Sequence, residues 1–253
     1  MNKQLSKKID ELFIYRKFPE LLEQVGEQYT RHPLIKKLKR LQETIYYLDH
    51  HLETNWDVKP KDLKPYWKVI YAALSDLEIK KKDHDDYCKL IYKYQKHELY
   101  LRENKLPTRF NMEFYYYFKS CDVKLLRRII YDHFPQLKSR YTLADWRCFD
   151  LITEVNDDVE DVFEDQTTIN GNYFLIAYLT GNKSKALKSF NEFISYISDK
   201  DKTRKLKADD NYLWVSKLTQ AEIKSTRSLL KANYTTLNKS LTQPTKLEEY
   251  LTD

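Results

Sequence analysis

Apolar residues recur every three or four positions along most of this chain, which is the spacing of one face of an α-helix. The clearest example is residues 33–56, where the seam of the predicted helix consists of Leu34, Leu38, Leu41, Ile45, Leu48 and Leu52. The same spacing predicts helices within 3–30, around 67–74, over 90–101, at 112–134, at 142–166, twice within 170–199 and over 209–241. We therefore predict an all-α protein.

The composition supports this prediction. The 253 residues include only 3 Gly and 7 Pro, so few turns of the kind that require glycine can form, which favours helices joined by short loops. The sequence has neither a GxGxxG pattern nor a Walker phosphate loop, which argues against two large classes of nucleotide-binding proteins. No period of 30 to 50 residues repeats, and no low-complexity segment divides the chain. We expect one domain over residues 1–253.

One predicted helix carries an unusual row of carboxylates. Residues 149–166 read FDLITEVNDDVEDVFEDQ. At about 100° per residue, one stripe of this helix gathers within roughly 80°, and it consists of Asp150, Glu154, Asp157, Asp161 and Asp165. The opposite side gathers Phe149, Ile152, Val155, Val159 and Phe163. The rest of the chain is expected to be organised around this helix.

Two interpretations of the carboxylate stripe are open. Charge runs on helices are usually solvated faces, so the stripe could be the wet side of an amphipathic helix. Exposed helices, however, usually interleave acids with Lys and Arg, and residues 149–166 contain no basic residue. A divalent cation would compensate the like charges, since Mg²⁺ is held through carboxylates together with phosphate oxygens and water.

A second carboxylate pair occurs on the predicted helix at 33–56. Asp49 lies about 60° from the middle of its leucine seam, at the border of the core, where a carboxylate needs a partner. Asp49 and Glu53 share the i,i+4 spacing of Asp157 and Asp161. Two such pairs facing each other across a helical bundle would hold Mg²⁺ ions around a diphosphate.

Three further features of the sequence bear on possible metal sites, on binding partners and on the core. Asp83, Asp85 and Asp86 lie at the start of a predicted helix, where negative side chains interact favourably with the helix dipole. We favour this role for them over a metal site. The net charge of +6 is mild, so nucleic-acid binding is not expected, but a basic surface would suit an anionic small substrate or peripheral contact with a membrane. The aromatic stretch at 112–134 is expected to form core and cavity wall.

The compartment is predicted from the cysteines and the hydropathy. Cys88, Cys121 and Cys148 are odd in number and widely separated, which indicates neither a disulfide framework nor a zinc site and favours a reducing, cytoplasmic setting. The N-terminus lacks the apolar core of a signal peptide, and no apolar run approaches the roughly 20 residues of a membrane span.

Both carboxylate motifs resemble those of the class I isoprenoid synthases, nearest to the squalene, phytoene and dehydrosqualene synthase branch. The first acidic motif is matched by YYLDHHLE, through Asp49, His50 and Glu53, and the second by TEVNDDVED, through Thr153, Asp157, Glu160 and Asp161. Residues 229–247, LLKANYTTLNKSLTQPTKL, are similar to the last helix of that branch. The chain departs from the family pattern at His50, Glu53, Thr153 and Asn156.

The resemblance implies a single-domain antiparallel helical bundle and an Mg²⁺-dependent enzyme. It would ionise a prenyl diphosphate to make a terpene, by cyclisation and elimination or by prenyl condensation. The implied metal ligands, for several Mg²⁺ ions, are Asp49, Glu53, Asp157, Asp158 and Asp161, of which Asp49, Asp157 and Asp161 are the implied catalytic residues. His50 and Tyr46 are the implied substrate-binding residues. The alternative is a non-catalytic helical adaptor that uses helix 149–166 as a docking face. Prenyl chain length and oligomeric state are left open.

Overall fold

The computed structural model describes residues 3–28, 32–207, 211–240 and 245–251. Every regular element in these ranges is a helix, so the predicted all-α class is confirmed. Within the same ranges, no helix combines the length and the apolar composition that a membrane crossing requires. The chain divides by its internal contacts into two compact units, which we describe separately. The predicted single domain stays a prediction.

The first unit comprises residues 1–94 and 121–139. Its helices are α1 (Lys3–Tyr15), α2 (Phe18–Glu23), α3 (Pro33–Thr54), α4 (Lys64–Asp76), the first part of α5 (His84–Leu101) and α7 (Cys121–His133). Pro33 begins α3, and the His32 ring caps it by accepting the Leu34 N–H at 3.2 Å. The whole predicted leucine seam of α3 is buried, as its spacing indicated.

The three acids for which a helix start was favoured over a metal site lie around the start of α5, with Asp83 at the end of the preceding 3₁₀ turn over Lys81–Asp83. Asp85 accepts a hydrogen bond from the Tyr71 hydroxyl at 2.7 Å. Asp86 pairs with Lys89 and Arg128, and hydrogen bonds from these two cations lower the pKa of Asp86 to about 2. Asp85 and Asp86 lie in the first turn of α5, so their predicted position at a helix start is confirmed.

The second unit comprises residues 95–120 and 140–253. Its remaining helices are α6 (Met112–Lys119), α8 (Arg147–Glu160), α9 (Tyr173–Thr180), α10 (Lys183–Lys207), α11 (Tyr212–Ser240) and α12 (Glu248–Leu251). The acidic helix is α8, and it packs against α6, α9, α10 and α11. Asn233 on α11 donates to the Val159 carbonyl at 2.7 Å, which ties the longest helix to α8. The acidic helix is therefore central to the second unit.

Three predicted boundaries differ from the structure. The helix at 112–134 is interrupted at Ser120, so that α6 and α7 are separate helices. The helix at 142–166 begins as a short 3₁₀ turn over Leu143–Trp146 and ends at Glu160. Tyr115, Tyr116 and Phe118 are buried, so the prediction of core is confirmed for them, whereas Phe114 of the same stretch is 45% exposed. The long last helix is confirmed as α11, while the ends predicted for it, Asp209 and Leu241, lie outside the described residues, as do residues 29 and 30.

Candidate functional site

Most carboxylates of the acidic stripe are buried in the second unit. Asp150 is 2% exposed, Glu154 4% and Asp165 6%, and the neighbouring Asp158 is completely buried. The interpretation of the stripe as a solvated face is therefore wrong for these residues. Burying a charge is costly unless it is paired and hydrogen-bonded, so each of these groups needs partners inside the fold.

Asp158 has partners on both of its carboxylate oxygens. One oxygen accepts from the Tyr116 hydroxyl at 2.8 Å and from the Tyr173 backbone N–H at 2.8 Å, while the other pairs with the Lys119 ammonium group. Burial lowers the pKa of Lys119, but the neighbouring Asp158 carboxylate outweighs it and raises this pKa well above its usual range. Asp158 and Lys119 therefore form a buried ion pair between α8 and α6.

The segment between α8 and α9, which we call the return segment, makes hydrogen bonds next to the buried Asp158–Lys119 pair. Asn172 donates from its side-chain amide to the Asp158 carbonyl and to the Asp165 carboxylate, both at 2.7 Å. Asn170 donates to the other Asp165 oxygen at 3.0 Å. Burial raises the pKa of Asp165, although the hydrogen bond from Asn172 opposes this shift. The end of α8 and the start of α9 are thus fixed together by polar contacts.

Gly171 lies where this return segment approaches α6. Its carbonyl accepts a hydrogen bond from the Tyr115 hydroxyl. A Cβ atom at this position would lie 2.8 Å from the Glu98 Oε1 atom and 3.1 Å from the Tyr115 hydroxyl oxygen. Because Glu98 is itself buried, no larger residue fits here without displacing these side chains.

The carboxylate stripe reaches solvent at the C-terminal end of α8. Asp157 is partly exposed and Asp161 is exposed. The Asp161 N–H donates to the Asp157 carbonyl at 2.9 Å, so the two residues are one helical turn apart, as the i,i+4 spacing predicted. The Asp165 N–H in turn donates to the Asp161 carbonyl at 2.8 Å, which continues the turn beyond the end of the regular helix.

The helix dipole makes this end of α8 an unfavourable place for acids. The C-terminus of a helix carries a partial negative charge, and cationic side chains are favoured there. The last turn of α8 contains no basic residue of its own, and Asp157, Asp158 and Glu160 lie there with Asp161 as the C-cap. Of these acids, Asp158 is neutralised by Lys119 from α6.

The donor set at this end of α8 suits Mg²⁺. Carboxylate oxygens are hard ligands, and Mg²⁺ is commonly held by one or two of them together with substrate phosphates and water. Across the described ranges, no group of three or more His, Cys, Asp or Glu side chains forms a ready-made metal cage. Asp157 and Asp161 are the candidate ligands at this end of α8, one helical turn apart.

The predicted residues of the first acidic motif lie on α3 in the first unit. Asp49, Glu53 and Tyr46 are partly exposed and share one side of the helix by their spacing, whereas His50 is exposed. The Lys8 ammonium group lies 5.8 Å from the centre of the Tyr46 ring. The partial exposure of Asp49 places it at the border of the core, as the helical wheel predicted.

Two departures from the family motif have structural roles in α8. The Thr153 hydroxyl donates to the Phe149 carbonyl at 2.9 Å and to the Asp150 carbonyl at 3.0 Å, so it is bonded to its own helix. The Asn156 side chain accepts from the Thr226 hydroxyl at 3.0 Å and links α8 to α11. Both side chains are buried.

Sequence reasoning missed Lys119, Tyr116 and Asn172 as partners of the acidic helix. One signal was available, because Lys119 follows Tyr115 and Tyr116 by four and three positions and so shares their face of a helix. A lysine on the face of buried aromatic residues needs an acidic partner inside the fold. The sequence alone did not identify Asp158 as that partner, 39 positions away.

No protein-family model matches this chain, and comparisons with curated proteins and with solved structures gave no match either.

Proposed function

We propose that this protein is an Mg²⁺-dependent class I isoprenoid synthase-like enzyme that ionises a prenyl diphosphate to make a terpene. The observation that carries the proposal is the pair of carboxylates, Asp157 and Asp161, one turn apart where the buried acidic helix α8 reaches solvent. The resemblance of both acidic motifs to that superfamily supports the same assignment. The isoprenoid synthase type of helical bundle and the cytoplasmic location are part of this proposal.

The difference in burial among the carboxylates of α8 supports different roles for them. Both carboxylate oxygens of Asp158 are occupied by Lys119, Tyr116 and the Tyr173 N–H. We therefore assign Asp158 the role of holding the end of α8 in position. Adjacent helical residues point about 100° apart, which leaves Asp157 on the partly exposed side. The proposed ligands in the second unit are therefore Asp157 and Asp161.

The proposed reaction breaks the bond between the allylic carbon and the diphosphate oxygen. The electron pair leaves with pyrophosphate, and the allylic carbocation that remains on the prenyl chain then loses a proton, captures water, or adds to a second prenyl unit with loss of a proton. Bound Mg²⁺ would supply charge neutralisation for the leaving diphosphate. The chain's own contribution is to hold the ligands in place, because the contacts of Asp158, Asp165 and Asn172 fix the turn that carries Asp157 and Asp161.

The other residues that the resemblance implies lie on α3 of the first unit. Asp49 and Glu53 remain the proposed metal ligands of α3, and we expect several Mg²⁺ ions in the reaction. His50 and Tyr46 remain proposed substrate contacts. These assignments are tested independently of Asp157 and Asp161 by replacing Asp49 and Glu53 with Asn and Gln.

The adaptor alternative is less well supported by the burial of the acidic helix. The exposed residues within 149–166 are Glu160, Asp161, Phe163 and Glu164. Such a small set offers little surface for a basic partner, because most carboxylates of the proposed docking face are inside the second unit. Specific protein interfaces usually need on the order of 800 Å² from each partner.

Thermal unfolding with and without Mg²⁺ and a non-hydrolysable prenyl thiodiphosphate tests the proposed site. A ligand present at about 100 times its Kd stabilises by about 2.7 kcal/mol, which corresponds to a midpoint rise of about 5 to 10 °C for a chain of this size. The Asp157→Asn, Asp161→Asn double variant should lose this rise, whereas Glu164→Gln should keep it. An unchanged midpoint in the unmodified protein would support the adaptor.

A further inference from the structure

We propose that a cluster of aromatic and basic side chains in residues 96–114 binds the surface of an anionic lipid bilayer. We call it the aromatic–basic patch, and it consists of Lys96, His97, Tyr100, Lys105, Arg109, Phe110 and Phe114. All of these residues belong to the second unit. The inference does not depend on the proposed enzymatic function.

The aromatic part of the patch is organised around His97. The imidazole ring makes edge-to-face contacts with Tyr100, Phe110 and Phe114, at centroid distances of 5.8, 4.9 and 5.5 Å. Phe114 is 45% exposed, although it is a large apolar side chain. A rigid aromatic cluster with one exposed ring is suited to insertion at the boundary between head groups and acyl chains.

The basic part of the patch surrounds these rings. The ammonium groups of Lys96 and Lys105 lie 5.8 and 4.7 Å from the centre of the Tyr100 ring. The hydrogen bond from the Lys105 ammonium group to Glu103 raises the pKa of Lys105, and the positive charge of Arg109 opposes this shift. Lys105 is also ion-paired with Glu103 at 2.6 Å, whereas Lys96 and Arg109 are exposed at positions from which they can reach lipid phosphates.

The local charge balance favours an anionic partner. Residues 96–114 contain four basic residues against three acidic ones, and one of these acids, Glu113, is paired with Arg147 and Lys200. Another of the acids, Glu98, is only 2% exposed, so it contributes little at the surface. Juxtaposed lysines and arginines are attracted to bilayers that contain anionic lipids, with about 1 kcal/mol for each basic residue near the surface.

A bilayer fits this patch better than single-stranded nucleic acid does. Base stacking requires aromatic faces that are free to receive a base. The Phe114 ring is already packed by Phe110, which is stacked at 5.9 Å, and by Phe118, which lies edge-on at 4.7 Å. The exposed part of Phe114 therefore offers apolar area rather than an open stacking platform.

Co-sedimentation with vesicles tests the proposal directly. We expect the protein to bind vesicles in which about one third of the phosphatidylcholine is replaced by phosphatidylglycerol, and not to bind pure phosphatidylcholine vesicles. Lys96→Gln with Lys105→Gln should weaken the partition constant about 25-fold, or about fivefold for each lysine. Phe114→Ser should weaken it about tenfold, through loss of apolar burial.

Matched variants provide the controls. Lys185→Gln with Lys188→Gln removes two exposed lysines from α10, and Phe163→Ser removes an exposed ring outside the patch. These controls should leave vesicle binding unchanged. The proposal is overturned by absence of binding to the anionic vesicles, or by equal losses in patch and control variants. It is also overturned if the patch variants abolish binding of single-stranded RNA or self-association instead of vesicle binding.

Discussion

The Tyr116 hydroxyl on α6 donates a hydrogen bond to the Asp158 carboxylate on α8 across 2.8 Å, in the interior of the second unit. Lys119, which lies three residues after Tyr116, pairs with the other oxygen of the same carboxylate. Two side chains of one short helix therefore neutralise and orient a carboxylate that is completely buried. This arrangement connects the stability of the fold to the proposed metal ligand Asp157, which is the neighbour of Asp158 in sequence.

Replacing Asp158 with Asn should strongly destabilise the protein. Breaking a buried ion pair leaves the other charge without compensation and costs about 3 to 5 kcal/mol. Chemical denaturation at neutral pH measures this free energy of unfolding. Glu164→Gln is the matched control, because this acid of the same segment is exposed and should change stability by at most about 0.5 kcal/mol. Equal effects of the two variants would contradict the structural role of the pair.

Glu113 should contribute stability that depends on pH. Burial raises the pKa of Glu113, but hydrogen bonds from Lys200 and Tyr196 outweigh it, and the net effect is a lowered pKa. A carboxyl whose pKa is lower in the folded state stabilises the protein above its unfolded pKa of about 4.3, and loses this contribution as the pH falls through the folded pKa.

The Glu113→Gln variant tests this dependence. It should be less stable than the unmodified protein at pH 7, and the difference should shrink as the pH falls below about 4. Glu192→Gln serves as the control, because Glu192 is an exposed acid on α10 that pairs only loosely with Lys188, at 3.8 Å. A stability difference for Glu113→Gln that stays constant from neutral to acid pH would contradict the assigned pairing.

Gly171→Ala should destabilise the second unit. The added methyl group would lie 2.8 Å from the Oε1 atom of the buried Glu98 and 3.1 Å from the Tyr115 hydroxyl oxygen, so these side chains would have to shift. Overpacking of this kind typically costs about 1 to 3 kcal/mol. Thr167→Ala, at an exposed position of the same segment, should have little effect on the denaturation midpoint. A fully stable Gly171→Ala variant would show that the return segment does not pack as described.

The three cysteines should be unreactive in the folded protein. All three are free and buried, and burial raises the pKa of both Cys88 and Cys148 to about 12. At pH 8 a thiol of that pKa is ionised in about one molecule in ten thousand, and the thiolate is the reactive form. Titration with a thiol reagent should detect no fast-reacting group in native protein and three in denaturant. A fast-reacting thiol in the native state would contradict this prediction.

The helices could be predicted because their apolar spacing is a local property. The leucine seam of α3 and the length of α11 follow from residues close together in sequence. The end of α8 could not be predicted in this way, since neither Gly nor Pro follows Glu160 directly. The boundary depends on Asp165 and Asn172, whose hydrogen bond closes the return segment.

The candidate site could be predicted only in part. The one-turn spacing of Asp157 and Asp161 is a local property of the sequence, and the structure has it. The burial of Asp158 depends on Lys119 and Tyr116, which are 39 and 42 positions away. A helical wheel ranks faces by hydrophobicity, so it assigns charged residues to solvent even when distant partners neutralise them.

The most direct test of the central claim is pyrophosphate release from C10, C15 and C20 prenyl diphosphates by purified protein with Mg²⁺. We expect release with at least one substrate, and a terpene hydrocarbon or alcohol in the organic extract. A product with the carbon count of the substrate indicates cyclisation or elimination, and a doubled count indicates condensation. The Asp157→Ala, Asp161→Ala double variant should lose this activity while Glu164→Ala retains it. Absence of release by folded protein, or full activity of the double variant, would contradict the proposed function.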